Sequence, residues 1–432
     1  MTAAVRTLAV VVLLAGALSV ACEAPSKDPL GRGLGAVRSA AAVGSAPLRC
    51  PADPWPVLSH DSARTGTSRG CCSGPLSVAW RFVPPDAVQR PARAQHVIAG
   101  PKALYVSGII GQSPAVFRVS PTGELAWTFD SHVDITRFHW PALVLDRVVL
   151  NDDGLYILES RTGEREVNRG LDSWGEVLTD GENLFANNTW YVAGPKLYAG
   201  ALESGGAPLW VKNEYGQKAE DVMDRVGGLS LSDGVLVQSA DYRPSPGSGL
   251  FAFATADGSE RWRAEIIPRS HASIGGGSVF VLERREGSGE PSALTARRLS
   301  DGELLWEVPI ASTQSIAPAL VRDLLLVRRD DGALVALSAK DGKRRWATPL
   351  EPPRDSGMLW ATSFAVARGS STVVAVQGDG FAVLSLSDGK LLWRGTPRGV
   401  EKAVHSPVLF GGRLYAVDRK GVVALECGAE GD

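Results

Sequence analysis

The chain has 432 residues, of which 44% are hydrophobic and 21% are charged, and its 45 Lys and Arg residues nearly balance its 47 Asp and Glu residues. This composition excludes an intrinsically disordered chain, and a net charge of -2 provides no basic field for binding nucleic acid. The 48 glycines and 27 prolines indicate many tight turns rather than long helices.

The N-terminus is predicted to be an export signal. Arg6 precedes an apolar run at 8–18 that is too short to span about 30 Å of hydrocarbon, which is typical of a signal peptide over 1–21. The sequence SVAC at 19–22 resembles a bacterial lipobox, with serine where leucine is usual. This resemblance implies lipidation of Cys22 and a lipoprotein on the periplasmic side of a bacterial membrane, with the outer membrane favoured. The alternative is ordinary cleavage before that cysteine and a secreted protein.

Residues 22–49 follow the signal and have a different character. They are rich in Ala, Gly, Ser and Pro and show no apolar periodicity. Such a segment cannot bury enough apolar surface to offset the entropy lost on ordering, so it is predicted to be a flexible tether. The folded domain is predicted to occupy 50–432.

A repeating unit occupies the chain after residue 76. Each copy has apolar strands joined by turns such as Asp-Gly, and its last strand carries a tryptophan. The copies end at Trp80, Trp127, Trp210, Trp262, Trp306, Trp346 and Trp393, and in one copy Val167 takes the tryptophan's place. The mean spacing of about 45 residues suits four short strands, which make one blade of a β-propeller. The repeat tryptophans are predicted to be structural and to pack between adjacent blades.

The two ends of the repeat region complete each other. The last unit, at 406–427, stops after its third strand, and the strand around Trp80 is a fourth strand without a blade. Joining them closes a ring and removes the unpaired edges that an open sheet has to protect. The sequence therefore predicts an all-β fold, a monomeric eight-bladed β-propeller of four-stranded antiparallel blades that is closed by the N-terminal strand joining the last blade.

Disulfide bonds are expected in an exported protein with four cysteines besides Cys22. Cys427 ends the third strand of the last blade, and Cys71 and Cys72 just precede the fourth strand of that blade. Because those ends are neighbours in an antiparallel pair, one of the two adjacent cysteines is expected to bond Cys427 and the other is expected to bond Cys50.

The repeat resembles the pyrroloquinoline-quinone-like (PQQ-like) β-propeller family over residues 55–427. The motif xDGxxxW recurs at blade spacing, and the sequence WPVLSHDSARTG at 55–66 is similar to a lead-in that precedes the first strand in many members. Signal, ring size and length are similar to those of propeller lipoproteins of the outer-membrane barrel-assembly machinery. The resemblance implies a non-catalytic envelope lipoprotein, a scaffold in protein–protein interaction with other envelope proteins, and it suggests outer-membrane protein assembly as the process.

Other members of the family are quinoprotein dehydrogenases, which gives an alternative function. They hold PQQ on the propeller axis above a Trp, with a calcium ion and a catalytic Asp, and some place a disulfide between adjacent cysteines against the quinone. Here Cys71 and Cys72 precede the closing strand, and no matching run of ligands is found. The zinc motif H-E-x-x-H is also missing from the sequence. We therefore expect no enzyme activity and no cofactor, with a PQQ-dependent dehydrogenase as the alternative.

Four of the six histidines fall one or two residues before predicted inner strands. His96, His139 and His405 belong to neighbouring blades, whereas His271 lies across the ring. Imidazoles that converge from three strands can bind a divalent metal. Exposed polar residues are ordinary at such positions in any propeller, so these three histidines are only weak candidates for a metal site.

Four tryptophans fall outside both the repeat and the lead-in. They are Trp140, Trp174, Trp190 and Trp360. Exposed tryptophans are typical anchors of binding surfaces, and buried ones would pack between blades, so both interpretations stay open. A proline-rich insertion at 242–249 in the fourth blade is a further candidate contact.

Overall fold

The computed structural model describes residues 51–86, 90–131, 141–151, 155–169, 175–188, 196–201, 208–213, 227–241, 248–284, 292–353, 364–401 and 405–428. The chain divides into two compact units, Met1–Leu48 and Arg49–Asp432, and all described residues belong to the second. No helix in the described ranges is long and apolar enough to cross a membrane.

The regular structure of the described ranges consists of β-strands. In chain order they are β1 (Thr67–Ser68), β2 (Leu76–Phe82), β3 (Ala92–Ala99), β4 (Leu104–Ile110), β5 (Ser113–Val119), β6 (Leu125–Asp130), β7 (Ala142–Val144), β8 (Arg147–Asn151), β9 (Leu155–Glu159), β10 (Arg165–Arg169), β11 (Val177–Thr179), β12 (Asn183–Asn188), β13 (Lys196–Ala201), β14 (Trp210–Asn213), β15 (Gly227–Ser232), β16 (Val235–Ala240), β17 (Gly249–Ala254), β18 (Glu260–Ala264), β19 (Ile267–Pro268), β20 (Ser273–Gly275), β21 (Ser278–Arg284), β22 (Ala293–Arg298), β23 (Leu304–Pro309), β24 (Ala319–Val321), β25 (Leu324–Arg328), β26 (Leu334–Ser338), β27 (Arg344–Thr348), β28 (Phe364–Ala367), β29 (Thr372–Gln377), β30 (Gly380–Ser385), β31 (Leu391–Gly395), β32 (His405–Phe410), β33 (Arg413–Asp418) and β34 (Gly421–Cys427).

These strands form the eight four-stranded antiparallel blades of a propeller. Blades 1 to 4 are β3–β6, β7–β10, β11–β14 and β15–β18, and blades 5 to 7 are β20–β23, β24–β27 and β28–β31. The short strand β19 also pairs with β21, and β1 adds to β28 in parallel. Blade 8 combines β32–β34 with β2. The predicted fold class is confirmed.

The ring is closed by strand pairing and by a disulfide. β2 pairs antiparallel with β34, so that Leu76 lies opposite Cys427. Cys72 is bonded to Cys427 across a Cα–Cα distance of 4.9 Å, which excludes a disulfide between Cys72 and its neighbour Cys71. Cys71 is also disulfide-bonded. Its partner lies outside the described residues, as Cys50 does, so that pairing stays a prediction.

The repeat motif connects each blade to the next one. The Trp306 indole of blade 5 donates a hydrogen bond to the Ala339 carbonyl of blade 6 at 3.0 Å. The ring lies on Gly342, where a Cβ would come within 2.8 Å of it and where φ is 68°, so only glycine fits. Equivalent indole-to-carbonyl bonds are made by Trp80, Trp127, Trp210, Trp262 and Trp346. In blade 7, Trp393 packs on Gly74 at the closure instead. The side chain of Val167 lies outside the described residues.

Candidate functional site: the propeller axis and its loop face

The two ends of the ring differ in the length of their connections. On one end, here called the turn face, two to four residues join the first strand of each blade to the second, and most third-to-fourth connections have five. On the other end, the loop face, 7 to 15 residues join each blade to the next through blade 8. Because long connections carry binding residues more often than tight turns do, the loop face is the candidate recognition surface.

The four tryptophans outside both the repeat and the lead-in all fall, by sequence, in connections of the loop face. Trp140, Trp174 and Trp360 belong to blade-to-blade connections, and Trp190 belongs to the second-to-third connection of blade 3. All four lie outside the described residues, as does most of the insertion at 242–249. The hypothesis that they form a recognition face therefore stays a prediction.

The lead-in at 55–66 runs around the axis and contacts the inner strand of blade after blade. Trp55 bonds to Ala99, the last residue of β3, which places the start of the lead-in near the turn face. The later contacts follow chain order at 2.7 to 3.3 Å, to Leu143, Thr179, Leu231, Ile274, Leu320 and Val366 in blades 2 to 7. The lead-in therefore ties the first seven blades together before β2 closes the eighth.

Three residues of the lead-in motif, Trp55, Asp61 and Gly66, stabilise the local path of the chain. Trp55 is 2% exposed and meets His60 edge-on at 4.9 Å. Asp61 accepts a hydrogen bond from the Thr65 amide at 2.9 Å and so holds the turn. Gly66 has φ 65°, and a Cβ there would lie 3.1 Å from Ala319. The motif thus encodes a chain path around the axis.

Arg64 is the centre of a buried charged cluster on the axis. Its side chain is 2% exposed and donates to the Leu58 and Leu229 carbonyls at 2.7 and 2.9 Å and to Glu176 at 2.7 Å. His271 lies 3.3 Å from the other oxygen of Glu176. Burial lowers the pKa of His271, the nearby positive charge of Arg64 lowers it further, and Glu176 opposes both. The cluster therefore joins the lead-in to blades 3, 4 and 5.

The described residues at this level of the axis do not fit a calcium–quinone group. The axial carboxylate, Glu176, is engaged by Arg64, and the same oxygen accepts a hydrogen bond from the Leu229 amide at 2.8 Å. The described ranges contain no group of three or more His, Cys, Asp or Glu side chains that could hold a metal. A cavity beside the lead-in, lined by Trp55 and Phe364 among others, has a volume of about 20 Å³, which is room for one water.

Two of the three candidate metal-ligating histidines lie side by side. The rings of His96 and His405 are 6.2 Å apart, between the inner strands of blades 1 and 8. His96 lies within β3 and is 6% exposed, so the expectation of an exposed position before the strand is wrong for this residue. Burial, assisted by His405, lowers the pKa of His96 to about 3. His139 lies outside the described residues, so a three-histidine metal site stays a prediction.

A pH-dependent stability follows from His96. Since the pKa of His96 falls from 6.5 to about 3 on folding, the unfolded chain binds a proton between these pH values and the folded chain does not. Below pH 6.5, this residue is expected to lower the free energy of unfolding by about 1.4 kcal/mol per pH unit. Denaturant titrations between pH 7 and 4.5 should show a shallower dependence for His96→Asn than for the wild type, and equal slopes would contradict the assignment.

His60 provides a control of opposite sign. Burial by itself lowers its pKa, but hydrogen bonds to Asp53 and Asp61 outweigh burial and raise it from 6.5 to about 8. The stabilisation from His60 is therefore complete below pH 6.5 and is lost as the pH rises through 8. The variant His60→Asn should change the slope between pH 6.5 and 9. Because His60 also lowers the pKa values of Asp53 and Asp61, its comparison with His96→Asn is confined to pH values above 4.5.

Comparison with known proteins identifies relatives of the propeller. A family model described as outer membrane protein assembly factor BamB matches residues 246–431, somewhat less than half of the chain. BamB from Burkholderia pseudomallei is 25% identical over 220 residues, which cover 45% of this chain and 52% of that protein. BamB from Shewanella oneidensis is 23% identical over 194 residues, 40% of this chain and 49% of that protein. The chain is a PQQ-like β-propeller that resembles BamB. It spans about half the length of these relatives.

Solved structures extend the likeness of the fold to nearly the whole ring. The crystal structure of BamB from Moraxella catarrhalis has a TM-score of 0.59 at 15% identity and covers 83% of this chain and 99% of that chain. A quinohemoprotein alcohol dehydrogenase from Comamonas testosteroni has a TM-score of 0.63 at 14% identity and covers 88% and 81% of the two chains. At these identities the likeness shows the fold alone, because BamB and the dehydrogenase share it.

Of the two charged partners in the axial cluster, one lies in a recognisable sequence motif and the other does not. Arg64 belongs to the lead-in motif at 55–66, so the motif itself could have identified Arg64 as a candidate for a special role. Glu176 stands alone between two blades, 112 residues further along the chain, with no motif around it. The partnership of the two residues becomes visible only on the axis.

Proposed function

We propose that this chain is a non-catalytic scaffold of the bacterial envelope that takes part in outer-membrane protein assembly. The observation that carries the proposal is the similarity to the outer membrane protein assembly factor BamB. The SVAC sequence supports a lipid anchor at Cys22 and a position on the periplasmic side of the outer membrane. The propeller acts as a monomer with other envelope proteins as partners.

The loop face is the proposed partner-binding surface. It has the longest connections of the ring, and by sequence it carries the four tryptophans outside both the repeat and the lead-in. Aromatic residues of this kind supply most of the energy of many protein interfaces. At the turn face, by contrast, short hairpins leave little surface for adaptation to a partner.

The axial cluster supports a structural rather than a catalytic role for the axis. Arg64 is paired with one carboxylate oxygen of Glu176, and neither residue fits a calcium–quinone site. We therefore propose that the protein works without a cofactor. Reconstitution with PQQ and calcium should yield no bound chromophore and no dye-linked alcohol oxidation, and either signal would favour the dehydrogenase alternative.

Site-specific crosslinking in intact envelopes tests the scaffold. A photoreactive residue at position 174 or 360 on the loop face is expected to capture a component of the barrel-assembly machinery, identified by mass spectrometry. Position 145 is the matched control, because Leu145 is 65% exposed on the turn face of blade 2. Capture from position 145 alone, or of proteins unrelated to barrel assembly, would contradict the proposal.

A further inference from the structure

The outer strands of blades 6 and 7 carry an unusual excess of basic residues. With the turns that precede them, at 339–348 and 386–398, these strands contain seven basic and two acidic residues in a chain whose net charge is -2. We call these two segments the basic rim. In blade 5, the equivalent strand and turn at 299–309 contain three acidic residues and no basic ones, so the excess is confined to one sector of the ring.

The cations of the basic rim are exposed, and most of them are unpaired. Lys343 reaches Asp341 at 3.2 Å. No ion pair to any described residue is formed by Lys340, Arg344, Arg345, Lys390 and Arg394. Across the ring, Arg147 on blade 2 is held by Glu166 at 2.8 Å. Among the described residues, the carboxylates in the basic rim are Asp341 and Asp388, the latter close enough to Lys390 for the lysine charge to lower the pKa of Asp388, so the two neighbouring strands keep a net positive local field.

Two leucines accompany these cations. Leu391 and Leu392 are 38% and 43% exposed, between Lys390 and Arg394. An isolated exposed leucine needs no explanation, but an adjacent pair within a cluster of exposed cations combines two features of surfaces that bind lipid headgroups. The long aliphatic stems of lysine and arginine allow their charges to reach such headgroups while the leucines insert.

The geometry of the basic rim disfavours a partner that adds a β-strand to the blades. The last two strands of each blade change register next to Trp346 and Trp393, so each outer strand is bulged at the residue before its tryptophan. A bulge interrupts the row of backbone groups that an added strand needs. A membrane surface needs no such row. It requires positive charge and insertable apolar side chains, and both are present.

We propose that the basic rim binds an anionic phospholipid surface, with Leu391 and Leu392 inserted among the headgroups and the propeller standing edge-on to the membrane. The contact is independent of acylation at Cys22 and of the partner on the loop face. It would orient a tethered ring so that both of its faces remain open to the periplasm.

Vesicle co-sedimentation tests this surface. The full chain carrying Cys22→Ser, which has no acylation site, is expected to bind phosphatidylcholine vesicles containing about 30% phosphatidylglycerol and to be released at about 0.5 M salt. Pure phosphatidylcholine vesicles should bind it at least tenfold more weakly. The pair Arg344→Glu and Arg345→Glu should reduce binding to the anionic vesicles at least about tenfold, and Leu391→Ser with Leu392→Ser should reduce it several-fold.

Matched controls lie on the opposite side of the ring. Arg161→Glu with Arg165→Glu makes the same charge change on exposed residues of blade 2, and Leu209→Ser with Val211→Ser removes exposed apolar residues of blade 3. Both controls should bind the anionic vesicles as the parent chain does. Equal losses in rim and control variants, or binding unaffected by the rim variants, would overturn the proposal and leave an acidic protein as the partner to test. Crosslinking from position 174 should persist in the rim variants, so this test and that of the scaffold fail separately.

Discussion

Replacing Arg64 by methionine is expected to destabilise the propeller by about 3–5 kcal/mol. The substitution leaves the Glu176 carboxylate buried, at 7% exposure, without its arginine, and an uncompensated buried charge is costly. It also removes donors from the Leu58 and Leu229 carbonyls, which connect the lead-in to blade 4. Urea unfolding of purified wild type and variant measures the loss.

A second substitution separates the charge from the packing. Arg64→Met combined with Glu176→Leu removes both charges, and it should recover a large part of the stability because the unpaired carboxylate is gone. Arg69→Met is the exposed control, since the Arg69 side chain is 68% exposed in its ion pair with Asp53, and it should cost less than about 1 kcal/mol. If the single Arg64 variant is as stable as the Arg69 variant, the axial cluster does not hold the ring.

Starting the chain at residue 84 is expected to abolish soluble folding. This truncation removes β2, the Cys72–Cys427 disulfide and the hydrogen bonds from the lead-in to seven blades. β34 is then left as a bare edge strand, which is a template for aggregation. Size-exclusion chromatography and thermal melting of the fragments 84–432 and 51–432 provide the comparison. A soluble, cooperatively melting 84–432 fragment would show that the closure model is wrong.

The disulfide has a smaller role than the strand that it anchors. In the chain from residue 51, Cys72→Ser with Cys427→Ser retains β2 and the lead-in but opens a bond that joins residues 355 apart. The double variant should lose about 3–5 kcal/mol while remaining monomeric and cooperative. If the double variant aggregates to the same extent as the 84–432 fragment, the disulfide rather than the pairing of β2 keeps the ring closed.

The blades and their closure could be predicted because their causes are local and repeated. Alternating apolar residues, Asp-Gly turns and one tryptophan per unit specify a four-stranded blade within about 45 residues of chain. The last unit lacks a fourth strand, and the strand around Trp80 is a fourth strand that lacks a blade. Pairing the two completes the eighth blade, as β2 and β34 do. The cysteine positions predicted a disulfide at this closure and left Cys71 and Cys72 as equal candidates. The chain path places Cys72 beside Cys427.

The sequence by itself determined the elements of this protein, namely the strands, the turns, the repeat tryptophans and the number of blades. Only the tertiary structure decided which distant residues share one environment: Arg64 with Glu176 on the axis, His96 with His405 between blades 1 and 8, and the exposed cations on neighbouring outer strands. The physical reason is the separation along the chain between the residues that make contact. A blade forms from contacts within one repeat, whereas the axis and the rim collect side chains from several repeats, and their pKa values, pairing and exposure depend on the closed ring.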